Sequence, residues 1–319
     1  MGIASRSEAP RRAVAIGISA LLLAALVHGP AYAQGQSFDE VEIATIRLGS
    51  GLAMLVGRGG NLGVSTGPDG VVLVDDQFAP LTGKILAAVA ALDARPVRFV
   101  LNTHWHSDHT GGNENLAGHG ALIVAHDNVR QRMASEQFIA DFGRRVPPSP
   151  AAALPVVTFD SSVTFHLNGQ TVRAIHVDPA HTDGDAFVHF APANVIHTGD
   201  LYFAGQYPYF DLSSGGSFDG LIAAADRMLS LADGETKIIP GHGPLSNRAE
   251  LAEWRVMLVE VRARVQAAID AGQSLAEIRA SRPTREWDAR YGGGFVKSAD
   301  LLRRVHASLT AGPPAPHAP

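Results

Sequence analysis

Within six positions the chain sets His104, His106, Asp108 and His109 directly behind an apolar run, residues 97–102, that reads as a buried strand. No other feature limits the fold as tightly. Core packing has no use for four metal-competent side chains at one strand end, and a chance cluster of surface histidines leaves the adjoining strand unexplained. In extended backbone His104 and His106 point the same way and can reach one ion. Thr110-Gly111-Gly112 follows, and the glycines free the backbone to bend, so Asp108 and His109 can reach a second ion close by. The chain contains no cysteine. Imidazole and carboxylate are therefore the donors, a set suited to zinc or another first-row divalent ion. Disulfides, a thiolate nucleophile and a lipidated N-terminal cysteine are excluded on the same ground.

The first residues read as a secretory signal. Arg6, Arg11 and Arg12 form a basic region, residues 13–27 are apolar, and Ala31-Tyr32-Ala33 is a small-x-small cleavage site that would leave Gln34 first. The alternative, an uncleaved anchor, needs roughly 18 to 20 apolar residues to span a bilayer, more than are present. The expected location is the periplasm or beyond. The net charge is −5 and no basic run follows the first dozen residues, so no nucleic-acid partner is expected. Apolar residues make up 46% of the chain, enough for a sizeable core.

Along the remainder, element order repeats. Strands are predicted at 41–48, 52–56, 62–66, 71–74 and 97–102, with helices at 80–92 and 128–142 and a short strand at 123–125. The Pro-rich stretch 146–155 reads as the seam between halves. Strands 163–167 and 171–177 then flank Asn168-Gly169, a two-residue hairpin signal. Further strands at 187–190, 195–198 and 237–239 surround a helix at 218–231. Two such halves would stack their sheets with helices outside, an α+β four-layer αββα sandwich. Expected boundaries are a signal peptide at 1–33, a catalytic domain at 34–246, helices at 247–311 packed on that domain, and a tail at 312–319.

His104-Trp105-His106-Ser107-Asp108-His109 resembles the HxHxDH signature of the metallo-β-lactamase superfamily. The resemblance runs from about residue 41 to 245, and later loops offer matches for the family's other ligands. These are His181 in Pro179-Ala180-His181-Thr182-Asp183-Gly184, Asp200 in His197-Thr198-Gly199-Asp200, and His242 in Pro240-Gly241-His242-Gly243. It implies two Zn2+ per chain, one on His104, His106 and His181, the other on Asp108, His109 and His242, with Asp200 spanning both. It further implies a hydrolase of small-molecule substrates, with a zinc-activated hydroxide as nucleophile and with Asp108 and Asp200 as catalytic carboxylates.

Export favours a β-lactam as substrate. The bridging Asp200 resembles instead the lactone, ester and thioester hydrolases of the superfamily. A metal-binding protein without turnover is the reading from another class. Asp183, Asp185 and His197 are candidates to support the ligands. Tyr202, Phe203, Tyr207, Tyr209 and Phe210 follow Asp200 and read as walls of the substrate site, with core packing an equal alternative for Phe203 and Phe210. Gly57, Gly59 and Gly60 read either as a flap over the metals or as an ordinary hairpin turn.

Overall fold

Short apolar runs broken by turn residues form strands that pair mostly with their neighbours in sequence. In the computed structural model, which describes Met1–Gly2 and residues 37–311, they build two sheets. The expected signal peptide, its cleavage site and the 312–319 tail lie outside the described residues. In the first sheet, β1 (Ala44–Gly49), β2 (Leu52–Val56), β3 (Leu62–Ser65) and β4 (Val71–Val74) form an antiparallel meander. β5 (Val97–Leu101) and β6 (Leu122–His126) then add in parallel. A detached hairpin of β7 (Gln137–Ile139) and β8 (Arg144–Val146) intervenes before β9 (Val157–Phe159) joins the parallel edge. The parallel steps carry α1 (Thr82–Ala90), α2 (Ser107–Thr110), α3 (Asn113–Gly118) and α4 (Asp127–Met133).

The second sheet orders β10 (Ser162–Leu167), β11 (Gln170–His176), β12 (Ala186–Phe190), β13 (Val195–His197), β14 (Lys237–Ile239) and β15 (Ser246–Asn247). Asn168 and Gly169 both take positive φ, 56° and 70°, as a two-residue hairpin turn between β10 and β11 requires. Helix α5 (Phe218–Leu231) connects β13 to its parallel partner β14. Helices α6 (Arg248–Asp270), α7 (Leu275–Ser281), α8 (Asp288–Tyr291) and α9 (Ser298–Thr310) follow. Among the described residues no helix is long and apolar enough to cross a membrane.

Three apolar layers hold this together. Met54, Val72, Val74, Leu101 and Val124 of the first sheet meet Val172, Ala174, Val188 and Ile239 of the second. Outside the first sheet, Ile85, Val89 and Leu116 cover Leu55, Leu73 and Val100. Outside the second, Trp254, Met257, Leu258, Val261 and Val265 recur at helical spacing on α6 and pack with Leu221 and Met228 of α5 and Leu301 and Val305 of α9. Each such fully buried side chain contributes roughly 1.5–3 kcal/mol over its exposed state. The layers are therefore αββα, as expected, with the C-terminal helices continuing one outer face.

Two expectations need correction. The predicted helix at 128–142 stops at Met133, because Gln137 turns its side-chain amide back onto the Arg132 carbonyl and Ser149 donates to the Met133 carbonyl. The chain then turns through Gly143, at φ 55°, into the β7–β8 hairpin. The seam between halves also falls later than the Pro-rich stretch, since β9 still pairs with β6 and the second sheet begins only at Ser162.

Candidate metal centre

Strand β5 ends at Leu101, and the residues after it are fixed by polar contacts that only this corner supplies. Asn102 and Asn113 exchange side-chain amides at 3.1 and 2.9 Å, which closes the loop between them. Asp75, at the end of β4, accepts from Thr103 through both its backbone N–H and its hydroxyl, each at 2.8 Å. His104 and His106 precede the helical turn α2, with His106 still extended, whereas Asp108 and His109 lie on that turn. The motif thus splits into two pairs at a bend.

The later loops complete two groups. His104, His106, His181 and Asp200 form one, and Asp108, His109 and His242 the other, with donor atoms in each within 4.8 Å of one another. In the first, Nε2 of His104 and Nε2 of His181 lie 3.1 and 2.9 Å from Nδ1 of His106. Asp200 faces both groups with different oxygens. Its Oδ2 is 3.9 Å from His104 and 3.5 Å from His181, and its Oδ1 is 3.1 Å from His109 and 3.4 Å from His242. Asp108 Oδ2 is 3.7 Å from His109 and 3.3 Å from His242. A tetrahedral ion with ligands at about 2.0–2.1 Å separates those ligands by about 3.3 Å. The observed spacings straddle that edge length. His109 Nε2 and Asp200 Oδ1 are moreover buried without a hydrogen bond. Orphaned buried polar atoms are costly, and a cation between them would remove the cost. The residues present fit divalent ions.

Electrostatics separate the groups. Burial, with His109 beside it, pushes the His104 imidazole well below its ordinary pKa, and burial takes His181 down to about 4. Both are neutral, the form that donates to a metal. Burial alone would also lower His109 and His242, but the Asp200 and Asp108 carboxylates outweigh it, helped at His109 by Asp75. His109 rises well above the imidazole range and His242 to about 9. Those same cations hold Asp108 and Asp200 low despite burial.

Carboxylates and carbonyls aim the rings from behind. His109 Nδ1 lies 2.8 Å from Asp75, His106 Nε2 3.3 Å from Asp211, and His181 Nδ1 2.9 Å from the Tyr209 carbonyl. Sequence reasoning missed Asp75 and Asp211. A polar run, Asp75-Asp76-Gln77, straight after a four-residue buried strand was the available signal for the first; Asp211 had none. Of the expected supports, Asp185 accepts from the His181 and Thr182 backbone N–H groups, so it fixes a ligand loop. Asp183 instead takes a bidentate pair from Arg132, at 2.6 Å for each bond. His197 sets Nε2 3.0 Å from the Asn61 carbonyl and accepts from the Gly199 N–H, so it braces two site loops.

Glycine is required where backbone approaches the site. A Cβ on Gly60 would lie 2.2 Å from the His109 ring, and one on Gly241 would lie 2.0 Å from Asp200 Oδ1. The 57–61 segment is anchored, since Asn61 donates to the Pro240 and Gly243 carbonyls and its N–H to that of Gly241. The aromatic stretch divides. All five side chains pack in the core, but only two of them also reach the ligands: Phe203 stacks on His242 at 5.3 Å and Tyr209 lies 5.7 Å from His181.

Known proteins resemble this chain in sequence and in fold. A hydroxyacylglutathione hydrolase of Gloeobacter violaceus is 29% identical over 74% of this chain and 93% of its own length. Hydroxyacylglutathione hydrolases of Polaromonas sp. and Rhodospirillum rubrum are 25% and 29% identical, over 57% and 54% of their lengths. Among solved structures, a metallo-beta-lactamase from Pontibacter korlensis superimposes with a TM-score of 0.56 at 19% identity, over 68% of this chain and 99% of that one. A variant of the sec-alkyl sulfatase PisA1 gives 0.64 at 16% identity, over 84% of this chain and 50% of that one. The profile described as metallo-beta-lactamase superfamily matches residues 53–242, which is well over half of the sequence, and the chain belongs to that superfamily as a metal-binding hydrolase.

Proposed function

We infer that this hydrolase cleaves thioesters at a centre of two zinc ions. The observation that carries the reading is Asp200, one carboxylate turned with one oxygen to each ligand group. The kinship with hydroxyacylglutathione hydrolases supports the same branch of the superfamily, ahead of the β-lactam reading. A lactone or ester remains the nearest alternative substrate. Export, with a mature chain from Gln34, a catalytic domain at 34–246 and added helices at 247–311, belongs to the same proposal.

When bound, paired divalent ions acidify a water and polarise the carbonyl it attacks. The protein's part is to hold and aim. His104, His106 and His181 supply imidazole donors, and Asp211, the Tyr209 carbonyl and Asp185 keep those rings and their loop from turning. Asp108 is the more solvent-reachable of the two carboxylates, its side chain 13% exposed against 5% for Asp200. Asp108 therefore takes the proton of the attacking water and returns it to the departing sulfur. One C–O bond forms and the C–S bond breaks; the thiol leaves with the proton carried by Asp108, and the acid leaves as a carboxylate once the water's second proton is lost to solvent.

The test compares zinc-loaded protein on a hydroxyacylglutathione, an acyl-homoserine lactone and a chromogenic cephalosporin. The thioester should exceed the other two in kcat/KM by about 100-fold. Faster turnover of the cephalosporin would reinstate the β-lactam reading.

A further inference from the structure

Three aromatic rings from distant parts of the chain meet beside the His104–His106–His181 group. Tyr209 has its centroid 6.1 Å from His106 and 5.7 Å from His181. Phe142, in the turn between β7 and β8, stacks on Tyr209 at 5.7 Å with the planes 20° apart. Phe295, just before α9, closes the triangle at 6.0 Å from Phe142 and 6.1 Å from Tyr209. Tyr209 is buried, but Phe142 is 51% and Phe295 38% exposed. Single exposed apolar residues are ordinary; a contiguous set running from solvent to a buried polar centre marks a binding surface.

The rings are fixed in place. Asp141, next to Phe142, pairs with Arg303 at 2.6 Å and also with Arg304, both on α9. The Ala140 N–H donates to Ser213 Oγ at 3.1 Å, which ties the hairpin to the turn after Asp211. Arg304 is buried, with its guanidinium carbon 4.2 Å from the Tyr209 ring centre. The two α9 arginines at this edge are thus committed to Asp141 and Tyr209, and what the edge offers a ligand is aromatic surface.

We propose that Phe142, Tyr209 and Phe295 seat an apolar group of the substrate, its acyl part, so that the enzyme acts on thioesters of medium-chain or aromatic acids. The chemistry rests on the thioester reading above; the seat rests on the ring triangle. The acyl part belongs here because Asp108, which delivers the proton to the departing thiol, lies in the other ligand group. The chain contributed by the hairpin and by α9 therefore selects the substrate, while the two sheets hold the ions.

The test has a binding arm and a turnover arm. Calorimetry of octanoate and acetate on the zinc-loaded protein should show octanoate tighter by about 30-fold, the worth of two to three buried methylenes at about fourfold each. Phe142→Ala and Phe295→Ala should each cut that ratio about tenfold, and Phe142→Leu should restore most of it. Both phenylalanines are exposed, so their loss leaves no core cavity, and melting curves of the variants verify folding. In turnover, the octanoyl-to-acetyl ratio of kcat/KM on N-acetylcysteamine thioesters should fall in parallel, through KM. Equal binding of the two acids, or a ratio untouched by both alanine variants, overturns the seat. Hydrolysis of thioesters without chain-length preference overturns the seat and leaves the thioester reading standing. Ring-dependent octanoate binding with no thioester turnover supports the seat and sinks that reading.

Discussion

The two ligand groups share Asp200 and are made of the same side-chain types, yet they hold charge in opposite ways. In the first, burial keeps the His104 and His181 imidazoles neutral, with His181 at about 4. The second sets two histidines among Asp75, Asp108 and Asp200, and without a cation those rings carry protons, His242 up to about 9. One group waits for a metal with its lone pairs ready. The other stores positive charge as protons that a metal must displace. Burial decides the first case, and neighbouring carboxylates overrule burial in the second.

The largest expected effect falls where the groups join. Asp200→Asn removes a charged donor from both at once, and its amide is a poor substitute. Altering residues that merely support metal ligands typically costs about 10- to 100-fold, so this change should cost at least 100-fold in metal affinity and in hydrolysis. Zinc content by elemental analysis checks it, with a melting curve in chelator to separate folding. Full metal content and near-normal turnover would break the link between the groups.

Proton release should separate the groups as well. Loading of the second group should strengthen from pH 6 towards 9, by about tenfold per unit for each proton expelled, because His242 titrates near 9. Loading of the first should stay nearly level across that range, because His181 is neutral throughout. Competition titrations with a chelator of known affinity read both constants. Parallel pH slopes would erase the difference between the groups.

The supports behind the rings should then separate the sites. Asp75→Asn withdraws the carboxylate from His109, and Asp211→Asn withdraws the one from His106. Asp211→Asn should weaken the first group by about 10- to 100-fold, and Asp75→Asn should weaken the second by as much and the first less, through Thr103, which contacts His104. The stoichiometry of zinc retained after dialysis distinguishes them, and an identical pattern in both variants would contradict the assignment.

What the sequence disclosed follows this same divide. The four residues at 104–109 sit on one strand end, and Asn168-Gly169 needs two positive φ angles, so both were legible locally. The grouping of His181, Asp200 and His242 was legible only through the family likeness, since separate loops bring them together. Asp211 was not legible, because it stands in a loop with no period and matters only through His106, 105 positions away. The β7–β8 hairpin misled for a related reason. Phe138, Ile139 and Phe142 have helical spacing, but Phe138 and Phe142 face solvent, and the hairpin's place is set by Asp141 reaching α9 and Ala140 reaching Ser213.

The smallest expected effect concerns the bracing of one group only. Asn61 is buried and donates from its side chain to the Pro240 and Gly243 carbonyls, at 2.9 Å each, on either side of His242. Asn61→Ala removes both bonds and leaves two carbonyls short of partners, which should cost about 1–3 kcal/mol of stability. The loop that carries His242 would then loosen, whereas His104, His106 and His181 are held by Asp75, Asp211 and Asp185 and lose nothing. Zinc affinity of the second group should fall by several-fold, with the first within error of the parent. Thermal melting with and without chelator gives the stability term, and stepwise zinc titration gives the two affinities. If both affinities fall together, the 57–61 segment braces the whole centre and the groups are less independent than their charges suggest. If stability falls and neither affinity moves, Asn61 is a fold residue alone and the His242 loop holds its shape by other means.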